Sequence, residues 1–195
     1  MLELRQVDHS ALYLYGQLKS AFDVKRVLRV AQAPDGQGLV LHDEAAADPY
    51  SKDYDTLDGQ APRDWPSRFP VERWGIFIAV DDKTWLGAMA IVSPADALTV
   101  LTVPPATAVV WDLRVATNAR RKNIGSTLLR TAMTWAKERG AKRLAAETQN
   151  VNVAACQFYR HNGFELISIE RFAYPTLPQE SRLVWCCDIG SNVAR

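Results

Sequence analysis

Residues 108–140 read AVVWDLRVATNARRKNIGSTLLRTAMTWAKERG. The opening run, Ala108 to Val115, is apolar and β-branched, as a buried strand requires. ATNARRKNIG then interrupts it with small, polar and basic residues. From Ser126 the period changes. Leu128, Leu129, Ala132, Met133 and Ala136 fall at i, i+1, i+4, i+5 and i+8, which is one face of a helix, and Gly140 ends that helix. The segment Arg120-Arg121-Lys122-Asn123-Ile124-Gly125-Ser126 therefore joins a buried strand to the N-terminus of an amphipathic helix. The first N–H groups of a helix have no internal partner, and its dipole is positive there. A tight turn of small residues lets those groups converge on an anion, and three consecutive basic side chains add charge. The expected ligand is a phosphate or pyrophosphate. The G-x-x-x-x-G-K-[ST] loop of nucleotide hydrolases and the Rossmann G-x-G-x-x-G are both absent.

Downstream, AKRLAAET reads as a strand. Asn152 caps a short helix, VAACQFYRH, which Asn162-Gly163 closes. Asn152 and Tyr159 are two helical turns apart and face the same way, while Ala155 between them leaves room for a thin ligand arm. FELISIERFA and SRLVWCC are two final strands. Upstream, WGIFIAV, DDK and TWLGAMAIV read as a hairpin, and PADALTVLTVPPA as a connection that admits a short strand. LELRQV is a first strand, and His9 to Val30 mixes apolar and charged residues at helical spacing. Residues 31–70, with PDGQG, AAADPYSKDYD and APRDWP, read as loop or short helix. A stretch that irregular in a compact domain is usually functional or mobile, which makes it a candidate for substrate contact. The alternation of strands and helices in the second half implies an α+β protein, a mixed sheet with helices packed on it.

Two motifs carry a family resemblance. Arg120 to Gly125 resembles the R/Q-x-x-G-x-G/A loop with which GNAT acetyltransferases bind the pyrophosphate of coenzyme A. Asn123 stands where the family usually has glycine, and Asn is the residue besides glycine that best tolerates a left-handed backbone. Asn152 to Phe164 resembles the GNAT pattern N-x-x-A-x-x-F-Y-x-x-x-G-F. The resemblance implies one GNAT domain over residues 1–195, its central sheet mostly antiparallel, with an acetyl-CoA-binding core at 107–164. It implies acetyl-CoA as co-substrate, no metal, and direct attack of an amine on the thioester. Cofactor contacts fall on Leu113, Val115, Arg120, Arg121, Lys122, Asn123, Ile124, Gly125, Ser126, Asn152, Ala155 and Tyr159. Tyr159 is placed to protonate the departing thiolate. The strand before the loop, Val109 to Val115, carries a bulge in the family. The amine must also lose a proton, and Asp112 and Glu147 are the acidic candidates for the base, for attracting a cation, or simply for ion pairing.

The acceptor is addressed by shorter segments. Glu147 to Tyr159, Phe22-Asp23-Val24, Pro49 to Tyr54, Phe172-Ala173-Tyr174, Pro178-Gln179 and Leu183-Val184-Trp185 look like the streptothricin N-acetyltransferases, which acetylate the β-lysine amine of a polycationic antibiotic. Asp43, Glu44, Asp48, Asp53, Asp55 and Asp58 crowd a region whose one base is Lys52. Such a region steers a cationic amine or only keeps a loop solvated. Tyr50 and Asp53 are the candidate acceptor-side residues. The competing readings are a GNAT acting on a protein N-terminus or lysine, and a non-catalytic acyl-CoA-binding module.

Composition sets the remaining bounds. With 195 residues, 48% of them hydrophobic, and a net charge of +1, the chain reads as an ordinary globular domain. It is not a nucleic-acid or anionic-membrane binder. No stretch approaches the ~20 apolar residues of a membrane span, and MLELRQVDHS has no signal-peptide core. Cys156, Cys186 and Cys187 have neither zinc spacing nor a disulfide framework, and read as reduced cysteines of a cytoplasmic protein. The Cys186-Cys187 pair and six tryptophans suggest a homodimer interface through the last strands.

Overall fold

The computed structural model describes residues 2–97 and 101–190. In chain order the elements are β1 (Leu2–Val7), α1 (Leu12–Tyr15), β2 (Phe22–Gln32), β3 (Leu39–Lys52), β4 (Gly75–Asp81), β5 (Thr84–Val92), α2 (Pro94–Ala97), β6 (Thr107–Val115), α3 (Ile124–Glu138), β7 (Arg143–Gln149), α4 (Val153–His161), β8 (Glu165–Arg171) and β9 (Ser181–Asp188). Strands and helices combine as the α+β reading requires: a seven-stranded sheet with helices, plus a separate β2-β3 pair. The chain divides into two compact units. One comprises Met1–Ala21, Asp53–Leu144 and Asp188–Arg195, the other Phe22–Lys52 and Ala145–Cys187.

In the first unit, β1, β4, β5 and β6 pair antiparallel in that order. β4 and β5 are buried almost throughout, which explains their continuous apolar runs. α1 and the 62–73 turns pack Leu12, Tyr15, Trp65 and Trp74 into a core with Ile76, Ile78 and Ala90. Helix α3 packs on β4 and β5 through Leu128, Leu129, Ala132, Trp135 and Ala136. Two glycines let it come close. A Cβ on Gly75 would stand 2.8 Å from the Trp135 ring, and one on Gly87 would stand 3.0 Å from Ile124 and 3.1 Å from Leu128.

In the second unit, β7, β9 and β8 follow in that order, with α4 after β7. β2 and β3 form an antiparallel hairpin closed by the Pro34–Gly38 turn, where Gly36 and Gly38 take positive φ. This hairpin differs from the helical reading of 9–30 and the irregular reading of 31–70. In the first stretch only Leu12–Tyr15 is α-helical. Val24, Val27 and Val30 recur every three residues, which imitates a helix. They sit instead on a strand whose pairing shifts between Val24 and Arg26, so period two is broken. Both strands are largely exposed, and no apolar face betrays them in the sequence. The short strand considered within 94–106 falls partly on 98–100, outside the described residues; 94–97 are α2. Among the described residues, no helix is long and apolar enough to cross a membrane.

The tryptophans and cysteines suggested for a dimer interface are largely taken up inside the fold. Trp65, Trp74, Trp135, Trp185 and Cys186 are buried, and Trp85 and Trp111 pack partly buried on the core.

Candidate active site

The Arg120–Ser126 loop lies in the first unit. β6 ends at Val115, one 3-10 turn spans Thr117–Ala119, and the chain then enters α3. Arg121 and Asn123 both take the left-handed conformation, at φ 64° and 63°. The Asn123 substitution for glycine is thus absorbed by the residue type best able to do so. The Asn123 carbonyl accepts from the Thr127 N–H at 3.0 Å and from its hydroxyl at 2.9 Å. The N–H groups of Ile124, Gly125 and Ser126 precede that first helical bond, and the Asn123 side chain caps none of them. Arg120 turns back, its Nε donating to the Val115 carbonyl at 3.2 Å, while Arg121 and Lys122 extend into solvent. Helix-start donors and two extended cations fit the pyrophosphate of coenzyme A.

Preceding the loop, β6 does carry a bulge. Ala90 pairs with Asp112 but Ile91 with Val110, so Trp111 is the extra residue. Its ring lies 4.9 Å from that of Trp74 and 4.6 Å from that of Phe69. Leu113 and Val115 follow on the same strand, paired with Met89 and Gly87. Asp112 is fully engaged. Its Oδ1 accepts from the Tyr15 hydroxyl at 2.8 Å and from Arg114 Nε at 2.9 Å, and its Oδ2 from Arg114 Nη2 at 3.1 Å. Arg114, 2% exposed, also grips Asp55 bidentately at 2.7 and 2.8 Å and donates to the Leu18 carbonyl. Burial alone would lower the Arg114 pKa, but Asp112 and Asp55 hold it raised. The cluster unites residues from three separate stretches, 15–18, 55 and 112–114, which is why spacing gives no sign of it. Within it, Asp112 is ion-paired with Arg114.

The second unit holds the other motif. Asn152 caps α4, its side chain accepting from the Ala155 N–H at 3.1 Å. Tyr159 is buried on that helix, its ring 5.2 Å from Phe164 and 5.3 Å from Phe158. On β7, Glu147 accepts from the Tyr174 hydroxyl at 2.6 Å, and Arg182 Nε stands 3.1 Å from its other oxygen. Burial first, and then the Glu147 charge, push the Tyr174 phenol well above its ordinary range, so it stays a donor. The Glu147 side chain is 31% exposed against 17% for Asp112. Tyr174 and Arg182 were not singled out as site residues, although Tyr174 stands in the quoted Phe172-Ala173-Tyr174 segment.

The acidic crowd at 43–58 resolves into partners. Asp43 pairs with Arg26, Glu44 with Arg29, Asp55 with Arg114 and Asp58 with Arg68. Asp53 caps the 54–56 turn and accepts from Ser20. That Ser20 bond chiefly lowers its pKa. Tyr50, 44% exposed, belongs to the second unit and Asp53 to the first. Among the described residues, no group of His, Cys, Asp and Glu side chains is arranged to hold a metal ion.

The fold, with a bulged strand running through a basic loop into a helix, defines the class. The Acetyltransferase (GNAT) family profile matches residues 41–164, and the chain belongs to that family. It is similar to the streptothricin acetyltransferase of Streptomyces lavendulae, 32% identical over 145 residues, covering 71% of this chain and 69% of that protein. It is also similar to streptothricin acetyltransferase A of Bacillus subtilis (strain 168), 34% identical over 76 residues. That match covers 39% of this chain and spans less than half, 44%, of the Bacillus protein. Among solved structures, nourseothricin acetyltransferase superposes with a TM-score of 0.74 at 24% identity, covering 96% of this chain and 98% of that one. A Bacillus anthracis str. Ames chain described as a streptothricin acetyltransferase, in complex with acetyl coenzyme A, gives 0.73 at 22% identity, covering 96% and 99%. At those identities the likeness concerns the fold.

Proposed function

We propose that this protein transfers an acetyl group from acetyl-CoA to a primary amine of a small polycationic molecule of the streptothricin type. The observation that carries the reading is the Arg120–Ser126 loop. Its two left-handed residues bring the chain into α3 with helix-start N–H groups beside Arg121 and Lys122. Donors and cations so placed suit a pyrophosphate. Similarity to streptothricin acetyltransferases over 71% of the chain supports the acceptor.

Acetyl-CoA supplies the activated thioester; the chain's residues supply binding and proton transfer. The loop donors and the two cations neutralise the pyrophosphate. Asn152 and Ala155, on one face of α4, line the pantetheine arm, and the strand after the bulge offers backbone N–H groups for the oxyanion. Glu147 takes the proton of the attacking ammonium, directly or through a water. Tyr174 and Arg182 fix the orientation of its carboxylate. Tyr159 gives its hydroxyl proton to the sulfur as the C–S bond breaks and recovers a proton from the nitrogen of the tetrahedral adduct through water, so the products are the N-acetyl amine and free coenzyme A. Asp112 serves the geometry of the bulge.

The test incubates purified protein with acetyl-CoA and, separately, streptothricin, free lysine and a lysine-containing peptide, following thiol release and product mass. Streptothricin is expected to turn over fastest and to gain one acetyl group. Turnover of the peptide alone would replace this reading by the protein-directed one. Thiol release with none of the amines would reject the transferase reading for this acceptor class.

A further inference from the structure

A cleft of about 410 Å³ opens within the second unit, a volume in the range of small-molecule sites. One wall comes from an irregularity in β3. Val24 pairs with Tyr50 and Arg26 with Ala45, so Ala46 to Pro49 stand out from the hairpin opposite Lys25. The floor is rigid. Asn150, buried, exchanges backbone bonds with Leu28 and Ser181, while its side chain donates to the Leu28 carbonyl and accepts from the Ser181 N–H at 2.8 Å. In the same unit Lys52 and Glu180 form a buried ion pair. The opposite wall is Arg171, Phe172, Pro178 and Gln179.

Three features of the lining point to a ligand. Phe172 is 75% exposed at φ 61°. A bulky residue in that region is strained, and an aromatic ring so held in water gains nothing from packing. Tyr50 presents a second ring, also exposed. Asp48 is the one residue of the acidic crowd with neither an ion pair nor a side-chain hydrogen bond among the described residues: Asp43, Glu44, Asp55 and Asp58 are ion-paired, and Asp53 accepts from Ser20. Of the cations in the lining, Arg29 is neutralised by Glu44, while Arg171 donates to the Val30 carbonyl at 2.9 Å and keeps its charge. A carboxylate and two aromatic rings lining one cleft match an organic cation, which the carboxylate neutralises while the rings hold the cation by their quadrupoles.

We infer that this cleft is a specificity site for a second, non-reacting cationic group of the acceptor, with Asp48 as its counter-charge and Phe172 and Tyr50 as its walls. The inference rests on the polycationic-acceptor reading above. It deepens that reading by separating the amine that reacts from the group that is recognised. The floor residues Asn150 and Val151 lead directly into Asn152 and α4, so the recognition site and the helix bearing Tyr159 share one rigid support.

Calorimetric titration of streptothricin into the full chain, without acetyl-CoA, tests this apart from catalysis. The unmodified protein is expected to bind it, and Asp48→Asn and Phe172→Ala each to bind about tenfold more weakly. Raising the salt should weaken the unmodified protein more than Asp48→Asn. Both side chains are exposed, so the melting temperature should move by less than about 2 °C, which separates lost binding from lost folding. Equal affinity in the variants overturns the inference. So does an absence of binding, including the case where Phe172→Ala instead converts a dimer to a monomer and the cleft is covered by a second copy. In either case acetyl transfer to another amine, seen as thiol release, would leave the proposed activity standing.

Discussion

The two units each bury an ionic cluster, and the clusters are built differently. In the first, Arg114 sits among two carboxylates and a carbonyl, with Tyr15 closing the group from below. Asp55 and Asp112 keep part of their surface exposed, 20% and 17%. In the second, Lys52 and Glu180 face each other with side chains 7% and 2% exposed. A shared network tolerates loss of one member, because the remaining carboxylate still answers the guanidinium. A deeply buried pair does not, because either survivor is left charged in a medium that solvates it poorly. The network adjoins the bulge of β6 through Asp112, whereas the pair belongs to the unit that holds the proposed recognition cleft. The two units thus bury charge with different fragility.

The comparison is broken most easily at the pair. Lys52→Met should destabilise the protein by about 3–5 kcal/mol, read from the urea midpoint. Adding Glu180→Leu should recover most of that loss, since an apolar pair of similar volume needs no desolvated charge. Failure of the double variant to recover would show that the pair's other contacts, not its charges, are what matter. Next in size, Asp55→Ala should cost about 1.5–3 kcal/mol, the range for hydrogen bonds to charged groups. A loss as large as that of Lys52→Met would erase the distinction drawn between network and pair. Tyr15→Phe removes only the bond closing the cluster and should cost about 1 kcal/mol, with turnover falling more than acetyl-CoA affinity if the bulge shifts. The smallest effect is chemical. Burial pushes the Cys156 thiol up to about 11, while Cys187 is half-buried. Alkylation of the native protein at pH 8 should therefore mark Cys187 well before Cys156.

The same division governs how much was legible in the sequence. β5 and α4 coincide with TWLGAMAIV and VAACQFYRH, and β4 and α3 nearly so, because each is bounded by a turn or cap and has an apolar face or run. The turn from β6 into α3 was legible because its pattern is local: residues 120–126 carry the basic charges, the small residues and the helix start. The β2-β3 hairpin was not, because exposed strands with a four-residue irregularity leave neither period. The Arg114 cluster joins residues 15, 18, 55, 112 and 114, which only folding brings together. The acidic crowd, read as an attractor of cations or as a solvated loop, comprises five engaged carboxylates and Asp48, and that remainder directs attention to the cleft.

The central claim is that Tyr159 completes acetyl transfer. The measurement that tests it most directly is steady-state thiol release from acetyl-CoA with streptothricin, comparing the unmodified enzyme with Tyr159→Phe. The account predicts a fall in kcat of about a hundredfold, an unchanged melting temperature within about 3 °C, and acetyl-CoA binding retained. Equal kcat in the two proteins would contradict it.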